Sequence, residues 1–356
     1  MMALDGAALA AIAGLVGGGV LGLAARLGRF CMMGAVEDAV YGGDLTRLRM
    51  LAMAAAVAVA VTALLSATGV IDPAATLYLR QGWSPLSVVL GGLIFGYGMA
   101  QVGTCGFGAL ARLGGGDLRA LVMLIVIAVA GYATIHGVLA PLRLALTPAE
   151  TLAAPQPSIA EWVDAELGTG TLLPSLLIAA GFACLALGPQ LMRRGDAGPW
   201  APLGWGAAAG GAVAFAWAAT ALAGQQSFGA VGMEGFSFVA PLGETVFSVM
   251  TGHLGDIVDF SVAAVIGVCL GSALGALWRA EFRWEACDDA RELRRQLAGA
   301  ALMGVGGVLA VGCSVGQGLS ALSVLSASAP LVILSIFAGA RIGLYVLVEG
   351  GLPERS

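Results

Sequence analysis

The chain has 356 residues, 59% hydrophobic and 11% charged, with a mean hydropathy of +0.92, whereas a water-soluble domain carries roughly a quarter charged residues. The formal charge of −5 arises from 22 acidic and 17 basic residues, every basic one an arginine. This composition excludes an ordinary soluble domain, and without a basic stripe it excludes nucleic acid as a partner; what remains is a polytopic membrane protein embedded in the lipid bilayer.

In chain order, the first apolar stretch, 7–26, has no positive region before it and no cleavage site after it, so it reads as a retained span rather than a removed signal. The stretch "RFCMMGAVEDAVYGGDLTRLRM" (29–50) is glycine-rich yet too apolar for a water-exposed loop, which predicts a short re-entrant or loop helix beginning near Cys31. Spans at 51–71, 86–104 and 119–140 follow, the second of them running into "QVGTCGFGAL" (101–110), where Gly103 and Gly106 flank Cys105. The acidic, proline-containing segment 147–175 reads as a loop before a span at 173–191 and another at 203–223. A second glycine-rich stretch, 224–256, predicts another short helix and contains Ser237 and His253. The last three spans are 257–278, 297–312 and 330–349. Of these, 297–312 has only 16 residues and ends at "AVGCSVGQGL" (310–319), the mark of a discontinuous helix. The expected class is therefore an all-α polytopic membrane protein of about nine transmembrane helices plus short re-entrant helices.

Arginine placement sets the expected orientation. With the N-terminus outside, Arg26, Arg29, Arg47, Arg49, Arg112, Arg119, Arg193, Arg194, Arg279, Arg283, Arg291, Arg294, Arg295 and Arg355 fall on the cytoplasmic side, Arg80 and Arg143 outside, and Arg341 within the last span. Nine spans then put the C-terminus in the cytoplasm.

The chain also repeats itself. With Cys105 set on Cys313, "GGLIFGYGMAQVGTCGFG" lies on "GAALMGVGGVLAVGCSVG" without a gap, matching Gly91, Gly96, Gly98 and Gly108 to Gly299, Gly304, Gly306 and Gly316. A looser match pairs "FCMMGAVED" (30–38) with "FSFVAPLGE" (236–244), which sets Ser237 opposite Cys31. The implied organisation is four spans (1–140), a loop and connector span (141–202), and four spans of opposite direction (203–356). An inverted repeat places its special sites near the midplane between the halves.

A helix broken at midplane exposes backbone N–H groups and a positive dipole end, both attractive to anions. Glycines permit the turn, and a neutral thiol adds a weak S–H donor suited to a soft acceptor. A helix N-terminus also favours the thiolate; apolar surroundings are expected to oppose this and keep the thiols protonated. The candidate path residues are Cys31, Cys105, Cys313, Gly103, Gly106, Gly312, Ser314, Gln317 and Ser237. Gln317 either donates to an oxyanion or satisfies carbonyls freed by the break. Cys184 and Cys269 lie mid-span and read as packing residues, and Cys287 as a bystander in a charged segment. Two isolated histidines, His136 and His253, and the absence of C-x-x-C give no metal or cofactor site.

Together, "GRFCMMGA" (28–35), "GLIFGYGMAQVGTCGFGALARLGGGDLRAL" (92–121), "EFRW" (281–284) and "GVGGVLAVGCSVGQGLSALSVLS" (304–326) resemble the YeeE/YedE family of sulfur-transport membrane proteins, from about residue 10 to the C-terminus. The resemblance implies thiosulfate uptake across the bacterial inner membrane, without enzymatic activity. It further implies that Cys31, Cys105 and Cys313 pass the ion along through S–H contacts, and that a small cytoplasmic TusA-like sulfur carrier, YeeD, is a partner. Alternative readings are transport of a selenium or other sulfur anion, a membrane scaffold for the carrier, and a thiol oxidoreductase.

Overall fold

An apolar run in lipid has no hydrogen-bond partner for its backbone except itself, so such runs close into helices. The computed structural model describes residues 6–192, 200–227, 229, 231–252, 259–286 and 289–350. The expectations concerning His253, Cys287, Arg193, Arg194 and Arg355 lie outside these residues. The first part of the chain forms α1 (Gly6–Leu27), α2 (Met32–Glu37), α3 (Thr46–Ala67), α4 (Leu77–Arg80), α5 (Pro85–Val102), α6 (Gly106–Gly114) and α7 (Leu118–Ile135). Three short helices, α8 (Ala140–Leu146), α9 (Ala149–Leu152) and α10 (Ile159–Leu167), lead to α11 (Leu172–Met192). The rest comprises α12 (Ala201–Gln226), α13 (Ala240–Thr251), α14 (Phe260–Trp278), α15 (Ala290–Leu309) and α16 (Ser328–Val348). Between α15 and α16 the backbone is helical again over 314–323, with a π-helical turn at Gly316–Ala321.

The all-α membrane class holds, and helices stand at all nine stretches expected to span. Seven described helices are long and apolar enough to cross a membrane, two fewer than expected. The difference lies in α11, whose apolar stretch Leu172–Gly188 is shorter, and in α15, whose first turns carry Arg291, Glu292, Arg294 and Arg295. Charge at one end lowers the hydropathy of α15, yet the helix packs between α5 and α7. The two glycine-rich stretches form the short helices α2 and α13, as their composition suggested. The segment 147–175, read as a loop, instead carries α9 and α10 and the start of α11, with α8 just before it. It straps the bundle through Gln156 N–H to the Leu79 carbonyl (2.8 Å) and Ile159 N–H to the Leu325 carbonyl (2.9 Å).

Helix pairs come in matched sets. α1 packs on α14 and α12 on α3; α5 packs on α16 and α15 on α7; α13 packs on α7 and α2 on α16. At the centre α5 crosses α15, and glycines set the distance. A Cβ on Gly306 would stand 2.5 Å from Phe95 N and 2.7 Å from the Gly91 carbonyl, and one on Gly299 2.8 Å from the Gly98 carbonyl. Backbone therefore meets backbone, the usual way for helices to associate where lipid removes any hydrophobic drive. Leu64, Val129, Leu274 and Leu334 are exposed, apolar surface of the kind a membrane-spanning bundle turns outward.

One end of the bundle collects the arginines. Arg26 pairs with Glu281 at 3.4 Å, Arg119 with Asp117 and Glu285 at 3.3 Å, and Arg279 donates to the Leu27 carbonyl at 2.7 Å. Here the motifs "GGGD" and "EFRW" meet: Arg283 N–H donates to the Gly115 carbonyl (3.2 Å) and Leu118 N–H to the Glu285 carbonyl (3.0 Å).

Gly306→Val will wedge the central crossing, because both atoms it meets belong to backbone. Overpacking of this kind costs about 1–3 kcal/mol, which at roughly 2–4 °C per kcal/mol is a clear drop in Tm, read by thermal unfolding in detergent. Gly211→Ala, where a Cβ meets nothing within 4 Å, will leave Tm unchanged or slightly raised.

Candidate functional site

Three cysteines begin three short helical segments, and each uses its sulfur as the N-cap. The Cys31 Sγ accepts from Gly34 N–H at 3.5 Å, Cys105 Sγ from Gly108 N–H at 3.5 Å, and Cys313 Sγ from Gly316 N–H at 3.3 Å. The common spacing is Cys-x-x-Gly, present as "CMMG", "CGFG" and "CSVG". It gains meaning as a motif only once the helix starts are known. Serine, threonine, aspartate and asparagine are the ordinary caps, and sulfur is a weaker acceptor. Helix capping alone therefore does not explain three thiols. A capped sulfur has its lone pair engaged by the helix, which leaves its S–H free to point away as a donor.

The thiols form a group. Cys105 is within electrostatic reach of Cys31 and, more weakly, of Cys313. Cys105 and Cys313 are each 1% exposed, while Cys31 is half-buried. Phe107, two residues after Cys105, meets Phe30 edge-on (6.4 Å between ring centres) and lies tilted on Phe238 (5.4 Å).

Beyond Cys313 opens a chamber of about 1190 Å³, at the end of the bundle opposite the arginine cluster. Gly312, Ser237, Tyr78, Trp217 and Glu234 line it, and Arg80 and Arg143 stand at its wall. The Ser237 and Tyr78 hydroxyls each lie 3.1 Å from where a Cβ on Gly316 would stand, so they flank the helix that Cys313 begins. Trp217 Nε1–H donates to Ser323 Oγ at 2.9 Å, and its ring meets Tyr78 edge-on at 6.4 Å. Burial, with Cys313 and Glu234 nearby, raises the Tyr78 phenol and holds it neutral. Tyr78, Trp217 and Glu234 were not among the sequence candidates, since nothing local in their segments marks them; they reach the site through packing.

The other candidates fall into different roles. Gly103 (φ 79°) ends α5 in the left-handed region and is exposed, with Arg112 Nη2–H donating to its carbonyl at 3.2 Å. Gly106 is the first residue of α6, buried, with Phe238 O and Leu242 Cδ1 each 3.8 Å from a Cβ there. Gly312 (φ 149°) makes the second turn and borders the chamber. Gln317 is fully buried, and its Nε2 donates to the carbonyls of Ala310 (3.1 Å) and Val311 (2.9 Å), while its Oε1 accepts from Ser328 Oγ at 3.3 Å. It straps the broken end of α15, so its amide is engaged by the chain. Ser314 is 2% exposed beside Cys105. Away from this group, Cys269 donates weakly to the Leu110 carbonyl at 3.8 Å. Cys184, expected to pack in the interior, is exposed on α11 and faces outward. Among the described residues, no group of three or more His, Cys, Asp or Glu could hold a metal ion.

A family model described as sulphur transport matches residues 27–342. Thiosulfate transporter TsuA of Escherichia coli K12 is 27% identical over 334 residues, covering 86% of each chain. Thiosulfate transporter TsuA of Spirochaeta thermophila is 24% identical over 339 residues, 91% of this chain and 94% of its own.

Glu234 on the chamber wall gives a pH test. Ser261 Oγ donates to its Oε2 at 2.9 Å, but burial, reinforced by Asp259, pushes its carboxyl up to about 7. A carboxyl raised in the folded state binds its proton more tightly than in the unfolded chain, so stability declines as pH rises from the unfolded value through about 7. Tm will be lower at pH 8 than at pH 5, and Glu234→Gln will flatten that dependence.

Proposed function

The chain belongs to the sulphur transport family, and from this premise we propose that it carries thiosulfate inward across the bacterial inner membrane, past Cys313, Cys105 and Cys31 in turn. The observation that supports this most is the trio of capped thiols, with Cys105 in reach of the other two. Thiosulfate is a dianion with a soft terminal sulfur and three hard oxygens. Arg80 and Arg143 at the chamber wall attract it. At the floor of the chamber the Cys313 S–H donates to the terminal sulfur, while the unpaired first N–H groups of the helix it starts face the negative charge. The ion then passes to Cys105 and on to Cys31. Each S–H donor is weak, so no station holds the ion too tightly to release it. The rings of Phe30, Phe107 and Phe238 exclude water around the middle station, so S–H contacts are made in a low-dielectric setting.

The remaining organisation belongs to the same proposal. Residues 1–140 and 203–356 form an inverted repeat joined by 141–202, a reading supported by the matched helix pairs. The chamber faces the periplasm together with the N-terminus. The arginine-rich end and the C-terminus face the cytoplasm, where a TusA-like carrier of the YeeD kind receives the sulfur compound.

The test is uptake of labelled thiosulfate by bacteria lacking their other importers, with membrane expression checked for each variant. Cys31→Ala, Cys105→Ala and Cys313→Ala will each lose about 10-fold or more, as expected for one hydrogen bond to a charged group. Cys184→Ala, on the outward face, will transport like wild type. Equal transport by all four variants would sink the thiol path.

A further inference from the structure

Buried hydroxyls around the second cysteine turn are almost all in use. Ser320 Oγ donates to the Phe236 carbonyl at 2.8 Å, Ser323 Oγ to the Ser320 carbonyl at 2.7 Å, and Ser326 and Ser328 share a bond of 3.0 Å. Ser314 is the exception. It directly follows Cys313 as the first residue of the helical segment 314–323 and is 2% exposed, yet its Oγ has no hydrogen-bond partner among the described residues. The neighbour in reach is the Cys105 thiol, with which it makes no bond of regular geometry. A buried hydroxyl left unpaired is costly, and native chains keep few of them. Here it directly follows Cys313 and stands beside Cys105, both of them buried.

The chemistry there is incomplete without it. Two S–H groups suit a soft sulfur atom, but neither is a good donor to a hard oxygen. A hydroxyl is, and an O–H bond to a charged oxygen is short and strong. We propose that Ser314 donates its hydroxyl to the oxygen-bearing end of the anion as it passes between Cys313 and Cys105, so that this station selects anions with both a soft sulfur end and a hard oxygen end. The inference rests on the transport reading above and deepens it. The one group in reach of the Ser314 hydroxyl is the Cys105 thiol, a weak partner, so the hydroxyl adds little to holding the protein together; this separates a binding role from a structural one. Removing an unpaired buried hydroxyl leaves stability unchanged or improved, whereas removing a ligand contact weakens binding.

The experiment compares wild type with Ser314→Ala and the near-isosteric Ser314→Cys, both in thiosulfate uptake and as purified protein in detergent. For Ser314→Ala the expected result has three parts: KM for thiosulfate raised about 10-fold or more, Tm without substrate equal to or above wild type, and the thiosulfate-induced rise in Tm reduced. Ser314→Cys, which restores a weaker donor, should fall between the two in KM. A Ser314→Ala protein with wild-type KM and an undiminished thiosulfate-induced rise in Tm overturns the inference, as does a substantial fall in its substrate-free Tm. If wild-type protein itself takes up no thiosulfate, the transport reading falls first and the role of Ser314 with it; if only the serine variants behave like wild type, the transport reading stands alone.

Discussion

The contact on which the rest depends is the crossing of α5 and α15, where Gly91 meets Gly306 and Gly98 meets Gly299 with no side chain between. The two helices cross antiparallel, so the cysteine turn that ends each one leaves from an opposite end of the crossing. Any Cβ at the crossing would push the two helices apart. Glycine is a weak helix former in water, by roughly 1 kcal/mol relative to alanine, but lipid offers no alternative partner for the backbone and the helix persists. What the residue loses in propensity it recovers as close approach. The same economy recurs outward: Gly96 lies against α16 and Gly304 against α7, so the repeated glycines hold each central helix to its flanking neighbour as well.

From that crossing the site follows. A helix that stops inside a bundle leaves donors and acceptors unsatisfied on both sides of the break. At the second turn the chain answers on the acceptor side with Gln317, whose amide takes two carbonyls from the end of α15. On the donor side it places a sulfur, which accepts the Gly316 N–H. The result is a turn whose carbonyls are closed by Gln317 and whose helix N-terminus carries the positive end of its dipole. The first turn is built alike, though there Arg112 closes the Gly103 carbonyl from outside. Both arrangements suit an anion that must be attracted and then released.

The two ends of the molecule differ in kind. At one, arginines are tied to carboxylates and carbonyls, and a short backbone bridge between Asp117 and Glu285 locks two distant motifs together. At the other, a chamber lined by Arg80, Arg143, Tyr78 and Glu234 stays open to the surface. Between them the two most buried thiols are closed off by side chains. An open mouth over a sealed core fits a carrier in which passage depends on side chains giving way.

The amino-acid sequence by itself determined the membrane class, the location of most helices and the three cysteines worth watching. Hydropathy over about 20 residues and the glycine pattern around Cys105 and Cys313 are local quantities, and a helix in lipid forms from local hydrogen bonds alone. Locality has its limits: Arg291, Arg294 and Arg295 share the first turns of α15 and lower its hydropathy, and Cys184 looked interior when it is exposed on α11. Only the tertiary structure decided that Cys31, Cys105 and Cys313 gather, that Gln317 serves the backbone while Ser314 stays unpaired, and that Tyr78, Trp217 and Glu234 border the chamber. Those facts depend on contacts between segments far apart in the chain, Cys105 and Cys313 being 208 residues apart. Apolar periodicity cannot say which faces will meet when lipid and protein interior are equally apolar. Backbone approach and hydrogen-bond satisfaction make that choice, and both exist only in the assembled bundle.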